Sequence, residues 1–74
     1  MPCRVGMTTD LAERKRYWET QYPNLKNWQV LHRNLTYDEA IVTEKQEAQD
    51  RNCEAAAGGE RVPGGAYSIY YFEW

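Results

Sequence analysis

Residues 67–74 read Tyr-Ser-Ile-Tyr-Tyr-Phe-Glu-Trp and give the strongest strand signal in the chain. β-branched and aromatic residues fill nearly every position, and these residue types favour extended backbone. Residues 3–7 and 28–33 carry weaker strand patterns of the same kind. Residues 53–66 hold four of the five glycines and are predicted to form a loop. The sequence therefore predicts a three-stranded antiparallel sheet.

Two helices are predicted from their N-terminal capping patterns. Asp10 and Thr36 are each followed three residues later by a glutamate, an arrangement that satisfies free amides in the first turn of a helix. Apolar residues then recur at helical spacing, which predicts helices over 10–21 and 36–52. Two main helices packed on a small antiparallel sheet give the fold class α/β (α+β), in a single domain over residues 1–74.

Composition limits the function classes. The chain carries a net charge of −2 and a pI near 5.3, which argues against a nonspecific nucleic-acid binder because cations supply most of that affinity. The charge is polarised: residues 1–33 hold six cations against three acids, and residues 34–74 hold three against eight. The first half can therefore still present a basic surface.

Location and cysteine state are predicted from what the sequence lacks. No apolar run reaches the roughly 20 residues of a membrane span, and no hydrophobic stretch follows Arg4 as it would in a signal peptide. We therefore expect no membrane partner and a cytoplasmic location.

The chain has two cysteines, Cys3 and Cys53, which are too few for a typical secreted disulfide scaffold. Together with His32 they are also too few for a zinc site. Both cysteines are predicted to be free thiols.

Two charged residues fall on helix faces that otherwise carry apolar residues. Arg14 shares the inward face of the first helix with Trp18, and Glu44 follows Ala40 by one turn on the second. An ionised side chain in such a position needs a partner, a metal or a ligand. Two explanations stay open, namely an Arg14–Glu44 salt bridge at the rim of a thin core or a functional site.

Three short motifs resemble those of the GIY-YIG nuclease superfamily. Gly6 and Arg14 keep the spacing between the family's second signature strand and its essential helical arginine. Glu44, four residues after an alanine, resembles the family's metal-binding glutamate. Ser68-Ile69-Tyr70 resembles the first signature, with serine in place of glycine.

The order of these motifs along the chain implies a circular permutation. In the family the two signature strands form an antiparallel hairpin, whereas here they lie at opposite ends of the sequence. We therefore expect residues 67–74 to pair antiparallel with residues 3–7 and to bring Met1 near Trp74. Residues 53–66 would supply the new connection.

The resemblance implies a metal-dependent DNA endonuclease. Glu44 would hold Mg²⁺ or Mn²⁺, Arg14 would stabilise the charge of the transition state, and Tyr70 would deprotonate the attacking water. These three side chains are expected to meet on one solvent-exposed surface. Arg4 occupies the position of the family tyrosine to which that proton transfer is generally assigned, so the resemblance moves the role to Tyr70.

Further residues are predicted to assist. Arg4, Tyr17 and His32 are candidates for catalytic support, and Arg4, Lys15 and Arg16 are candidates for contacts with DNA phosphates. A monomer with one site is expected to nick double-stranded DNA with weak sequence preference.

Two alternatives stay open for the function. The first is a catalytically inactive GIY-YIG-like binding or inhibitor protein. The second is an aromatic-rich interaction module unrelated to nucleases, which would apply if the strands containing Tyr70 and Val5 were not neighbours.

Overall fold

The computed structural model describes residues 2–56 and 61–74. Within them the chain forms, in order, β1 (Cys3–Thr8), α1 (Leu11–Gln21), β2 (Lys26–Leu35), α2 (Tyr37–Arg51), β3 (Glu54–Ala55) and β4 (Tyr67–Glu73). The predicted α+β class, with two helices and a small sheet, is confirmed. Neither helix in the described ranges is long and apolar enough to cross a membrane.

Both helices begin at the predicted caps. The Asp10 carboxylate accepts a hydrogen bond from the Glu13 amide at 3.1 Å. Thr36 and Glu39 form a complete capping box, in which each side chain accepts from the other residue's backbone amide. α2 ends at Asn52, whose φ of 55° is the left-handed conformation that closes many helices. These local signals explain why the predicted helix bounds are accurate to within one residue.

The sheet has four strands in the order β2-β4-β1-β3. β4 runs antiparallel to both of its neighbours, as predicted for the three main strands. The prediction missed β3, a parallel edge strand that pairs Glu54 with Arg4 and Ala55 with Val5. Two residues are too few to show a strand pattern, and they lie at the start of the segment 53–66 that the glycines marked as a loop. The rest of that segment is described only for 56 and 61–66.

The pairing of the chain's two ends is confirmed. β1 and β4 are antiparallel neighbours, with Gly6 opposite Tyr70 and Val5 opposite Tyr71. The Trp74 amide also donates a hydrogen bond to the Pro2 carbonyl at 3.2 Å. Met1 lies outside the described residues. The unrelated interaction module was expected only if these two strands were not neighbours, and they are neighbours. A circular permutation requires this antiparallel pairing of β1 with β4.

One face of the sheet, which we call the helix face, packs against α2. Alternate residues of β1 and β4 meet the small side chains of α2 there and form a buried cluster: Val5, Met7, Ala40, Ala48, Tyr67, Ile69 and Tyr71. Small residues on α2 let the helix approach the sheet closely. This layer is the hydrophobic core between the sheet and α2.

The opposite face of the sheet, which we call the aromatic face, is covered almost entirely by rings. α1 touches the sheet mainly through side chains there, whereas the backbone of α2 lies close to several strands. Phe72 is fully buried at the centre of this second layer. Around it lie Trp18, Tyr22, Trp28, Tyr70 and Trp74, each within 6.2 Å of it between ring centroids. The high aromatic content of the sequence thus supplies one whole layer.

The free thiols predicted for the two cysteines are wrong. Cys3 at the start of β1 and Cys53 beside β3 form a disulfide across 50 residues. Counting cysteines could not reveal this, because the pairing depends on β3 placing Cys53 beside β1. Disulfides are uncommon in reducing compartments, so the pairing also weakens the argument for a cytoplasmic location.

Candidate active site

Tyr70 lies on the aromatic face at the centre of the sheet and is only 1% exposed. Its ring leans over Gly6 of β1: a Cβ at Gly6 would lie 2.2 Å from the hydroxyl and 2.3 Å from Cζ. The ring stacks on Trp28 with 4.9 Å between centroids. The indole Nε1–H of Trp18 donates a hydrogen bond of 2.8 Å to the Tyr70 hydroxyl. Helix α1, two strands and the absence of a side chain at Gly6 therefore fix this hydroxyl.

Glu44 lies in the middle of α2, on the same stripe as Ala40 and Ala48, and is 6% exposed. Its Oε2 is buried and has no hydrogen-bond partner. Burial raises the pKa of Glu44 to about 7, against a smaller opposing effect of Lys45. The inward orientation predicted for this residue is confirmed. A buried carboxyl of this kind carries its charge only partly at neutral pH.

Arg14 lies on the first turns of α1, where its guanidinium stacks over Tyr17 at 5.4 Å. Its Nε is buried without a partner. Arg14 also lines a cavity of about 260 Å³. Other residues that line this cavity are Thr8, Thr9, Glu13 and Tyr67. No ion pair joins Arg14 to Glu44, although both are among the described residues. The simple salt bridge considered from the sequence therefore does not form.

The three predicted site residues are related through the Tyr70 hydroxyl. Burial raises the pKa of Tyr70, the Trp18 hydrogen bond opposes that rise, and the charges of Arg14 and Glu44 act on it with opposite signs. Arg14 is not among the charges that shift the pKa of Glu44. Arg14 and Glu44 therefore both contribute to the electrostatic surroundings of the Tyr70 hydroxyl.

The exposure expected for this site is not observed. Glu44 and Tyr70 are both buried and belong to layers on different faces of the sheet, and only Arg14 reaches an open cavity. The physical reason is the small sheet: at three main strands wide, its central positions are covered from both sides. The sequence pattern showed which residues point inward but could not show how completely they would be covered.

Arg4 is held in an aromatic enclosure on β1. Its guanidinium lies 4.8 Å from the Trp18 ring, 5.7 Å from Tyr22 and 5.1 Å from Trp74. It also forms a 2.8 Å ion pair with Glu54 and a hydrogen bond to the Tyr22 hydroxyl. Burial alone would lower the pKa of Arg4, but these two hydrogen bonds raise it. Arg4 therefore joins β1, β3 and α1, with 18% of its side chain exposed.

The other predicted residues lie further from Tyr70 or face solvent. His32 faces α2, on the side of the sheet opposite Tyr70, and its Nε2 lies 2.8 Å from the Glu47 carboxylate. This contact is the main reason that the pKa of Glu47 is lowered. Lys15 and Arg16 are exposed on α1 and remain available for phosphates. Tyr17 packs edge-on against Trp18, whose bond to Tyr70 the sequence did not predict.

Comparison with known proteins adds no further identification. No protein-family model, curated protein or solved structure matches the chain.

Proposed function

We propose that this protein is a metal-dependent DNA endonuclease of the GIY-YIG type, with Arg14, Glu44 and Tyr70 at its site. The observation that supports the proposal is that both charged residues of the proposed site bury a polar atom that has no hydrogen-bond partner. These atoms are Arg14 Nε and Glu44 Oε2, and among the described residues Arg4 Nε is buried without a partner as well. Folded proteins rarely leave buried polar atoms unpaired, and such atoms often mark where a ligand or ion binds.

A single magnesium or manganese ion is compatible with these residues. Among the described residues no three His, Cys, Asp or Glu side chains cluster as metal ligands. Mg²⁺ does not need such a cluster, because it commonly binds one or two carboxylates and completes its shell with waters and substrate phosphate. Glu44, with its unpaired Oε2, would be the protein ligand. When bound, the ion would stabilise negative charge on the phosphate and on the leaving oxygen.

Arg14 and Tyr70 would have separate roles around the scissile phosphate. Arg14 lines an open cavity beside the N-terminus of α1, so its guanidinium can contact a phosphate and stabilise the added charge of the transition state. A tyrosine hydroxyl is protonated at neutral pH, and burial moves the pKa of Tyr70 still further above its ordinary value. A protonated hydroxyl orients an attacking water better than it deprotonates one. We therefore assign Tyr70 to orientation, with its oxygen held by Trp18.

The substrate proposed is double-stranded DNA, and the product is a nick. One Arg14 and one Glu44 in a monomer supply one site, which hydrolyses one strand per encounter. The exposed Lys15 and Arg16 would contact backbone phosphates and give weak sequence preference.

The test is incubation of supercoiled plasmid with the protein, with Mg²⁺ or with a chelator. We expect open circles to accumulate only with the metal. Glu44→Gln should lower the rate by at least about 100-fold, because it removes the only proposed protein ligand. Glu47→Gln is the matched control, since it changes an acid on the same helix that contacts His32 and Arg51 instead. Equal cleavage by Glu44→Gln would contradict the site assignment.

A second candidate, a noncatalytic binding or inhibitor protein of the same fold, is favoured by the burial of Glu44 and Tyr70. A carboxyl with a pKa raised to about 7 binds a cation weakly at neutral pH. The plasmid assay separates the two candidates if it is repeated from pH 7 to 9 with Mg²⁺ and Mn²⁺. No cleavage by folded protein under all of these conditions would favour the noncatalytic protein.

A further inference from the structure

The segment 14–33 interleaves cations with aromatic residues. It contains five cations and one carboxylate, and its order is Arg14-Lys15-Arg16-Tyr17-Trp18 on α1, then Tyr22, then Lys26, Trp28 and Arg33 on β2. Both elements border the aromatic face. The segment is therefore basic although the pI of the whole chain is acidic.

Several of these cations have no carboxylate partner. Lys15, Arg16 and Arg33 form no ion pair within residues 2–56 and 61–74. Three arginines outside the segment each pair with an acid, namely Arg4 with Glu54, Arg51 with Glu47 and Arg61 with Asp38. Lys45 on α2 is the other cation outside the segment, and among the described residues it forms no ion pair. Lys15, Arg16 and Arg33 therefore place unpaired positive charge on α1 and β2, the two elements that flank the rings.

The rings of the aromatic face are rigid and partly open. Trp28 is half-buried and stacks nearly parallel to Tyr70, at an angle of 11°. Tyr70 and Phe72 lie buried behind it, 1% and 0% exposed. Trp18, Tyr22 and Trp74 are also half-buried, and Tyr22 stacks on Trp74 at 4.4 Å. A ring fixed by its neighbours loses little conformational entropy when a ligand stacks on it.

We propose that the aromatic face binds single-stranded nucleic acid, with unpaired bases stacking on Trp28 and phosphates contacting Lys15, Arg16 and Arg33. Flat rings beside unpaired cations match a polyanion that carries planar bases. In a duplex the bases are already stacked on each other, so they cannot stack on a protein ring without being separated. The proposal goes beyond the nuclease activity and needs no cleavage.

The test is a binding titration in a chelator, which prevents cleavage. A labelled 12-nucleotide oligothymidine, a duplex of equal length and inorganic polyphosphate are titrated by fluorescence anisotropy and competition. We expect the single strand to bind at least about 10-fold more tightly than the duplex and to quench tryptophan fluorescence. Trp28→Ala should weaken single-strand binding about 5- to 150-fold, and Trp28→Phe much less, because a ring remains.

The charge contribution is tested separately. Replacement of Lys15, Arg16 and Arg33 together by glutamine should flatten the salt dependence, lowering the slope of log affinity against log salt by about 2. Arg61→Gln is the matched control, because it removes a paired cation away from the aromatic face. Circular dichroism checks that each variant is folded.

Equal affinity for the single strand and the duplex would overturn the proposal. The proposal would also fail if Trp28→Ala or Trp28→Phe lowered the affinity for polyphosphate as much as the affinity for the single strand.

Discussion

Gly6→Ala is predicted to destabilise the protein although alanine usually suits a strand better than glycine. The new Cβ would lie 2.2 Å from the Tyr70 hydroxyl, 2.3 Å from Cζ and 2.8 Å from Cε1. Those distances are below any real contact, so the ring must move. Its movement is opposed by the stack on Trp28 and by the bond from Trp18.

The expected loss follows from these contacts. Overpacking of a well-packed site costs about 1–3 kcal/mol, and a lost hydrogen bond adds about 1 kcal/mol, so we expect a loss of about 2–4 kcal/mol. Without the clash, Gly→Ala would stabilise by about 0.4–1 kcal/mol through the unfolded state. The sign of the change therefore tests the packing. For a domain of this size, the loss would lower Tm by on the order of 10–30 °C.

The assay is thermal and urea unfolding followed by circular dichroism, in the wild type and in a Tyr70→Val background. Valine keeps a strand-forming side chain but ends before the ring, so Gly6→Ala should cost little there. The difference between the two backgrounds measures the Gly6–Tyr70 contact directly. An equal cost in both backgrounds, or a stabilised Gly6→Ala single variant, would refute the packing described here.

Three further predictions concern the stability contributed by the disulfide, by Glu44 and by Trp18. Reduction of the disulfide, or the double change Cys3→Ser and Cys53→Ser, should cost about 4 kcal/mol of stability for a loop of 50 residues, and thermal melts of the double variant should be insensitive to reductant. Because Glu44 has a folded pKa raised from 4.5 to about 7, its contribution favours folding at low pH and is lost as pH rises from 4.5 through 7. In a chelator, Glu44→Gln should therefore be more stable than wild type at pH 8, by about 1–3 kcal/mol, and urea unfolding at pH 5 and 8 checks this. Trp18→Phe should cost about 2–3 kcal/mol in the same assay, because it removes the N–H that bonds the Tyr70 hydroxyl and puts a smaller ring where the indole packs on Tyr22 and Phe72.

The parts of the fold that were predictable are those encoded by local chemistry. Capping side chains at Asp10 and Thr36 set the helix starts, and the ring-rich run 67–74 set the central strand. The antiparallel neighbour of that strand was predicted from a resemblance, and the register confirms the pairing. β3 and the disulfide were not predictable, because a two-residue strand has no periodicity and is fixed only by contacts with β1.

For the candidate site, sequence spacing gave orientation but not exposure. Glu44 could be placed inward because helical geometry fixes its direction relative to Ala40. Its burial depends on how many strands and rings cover the neighbourhood, which is a property of the assembled layers. The Trp18–Tyr70 hydrogen bond could not be predicted either, because it joins residues 52 positions apart and depends on how α1 packs on the sheet.

Arg4 links three elements of the fold near the candidate site. Its guanidinium on β1 forms an ion pair with Glu54 of β3 and stacks on Trp18 of α1. This contact adds to the packing of Trp18 and Tyr22 on Phe72 that holds α1 against the sheet. Arg14 and Trp18 are both carried by α1, and Trp18 is the donor to Tyr70. Arg4 therefore helps to hold the helix whose Trp18 donates to the Tyr70 hydroxyl. β3, which lies beside the disulfide, carries the Glu54 carboxylate that anchors Arg4.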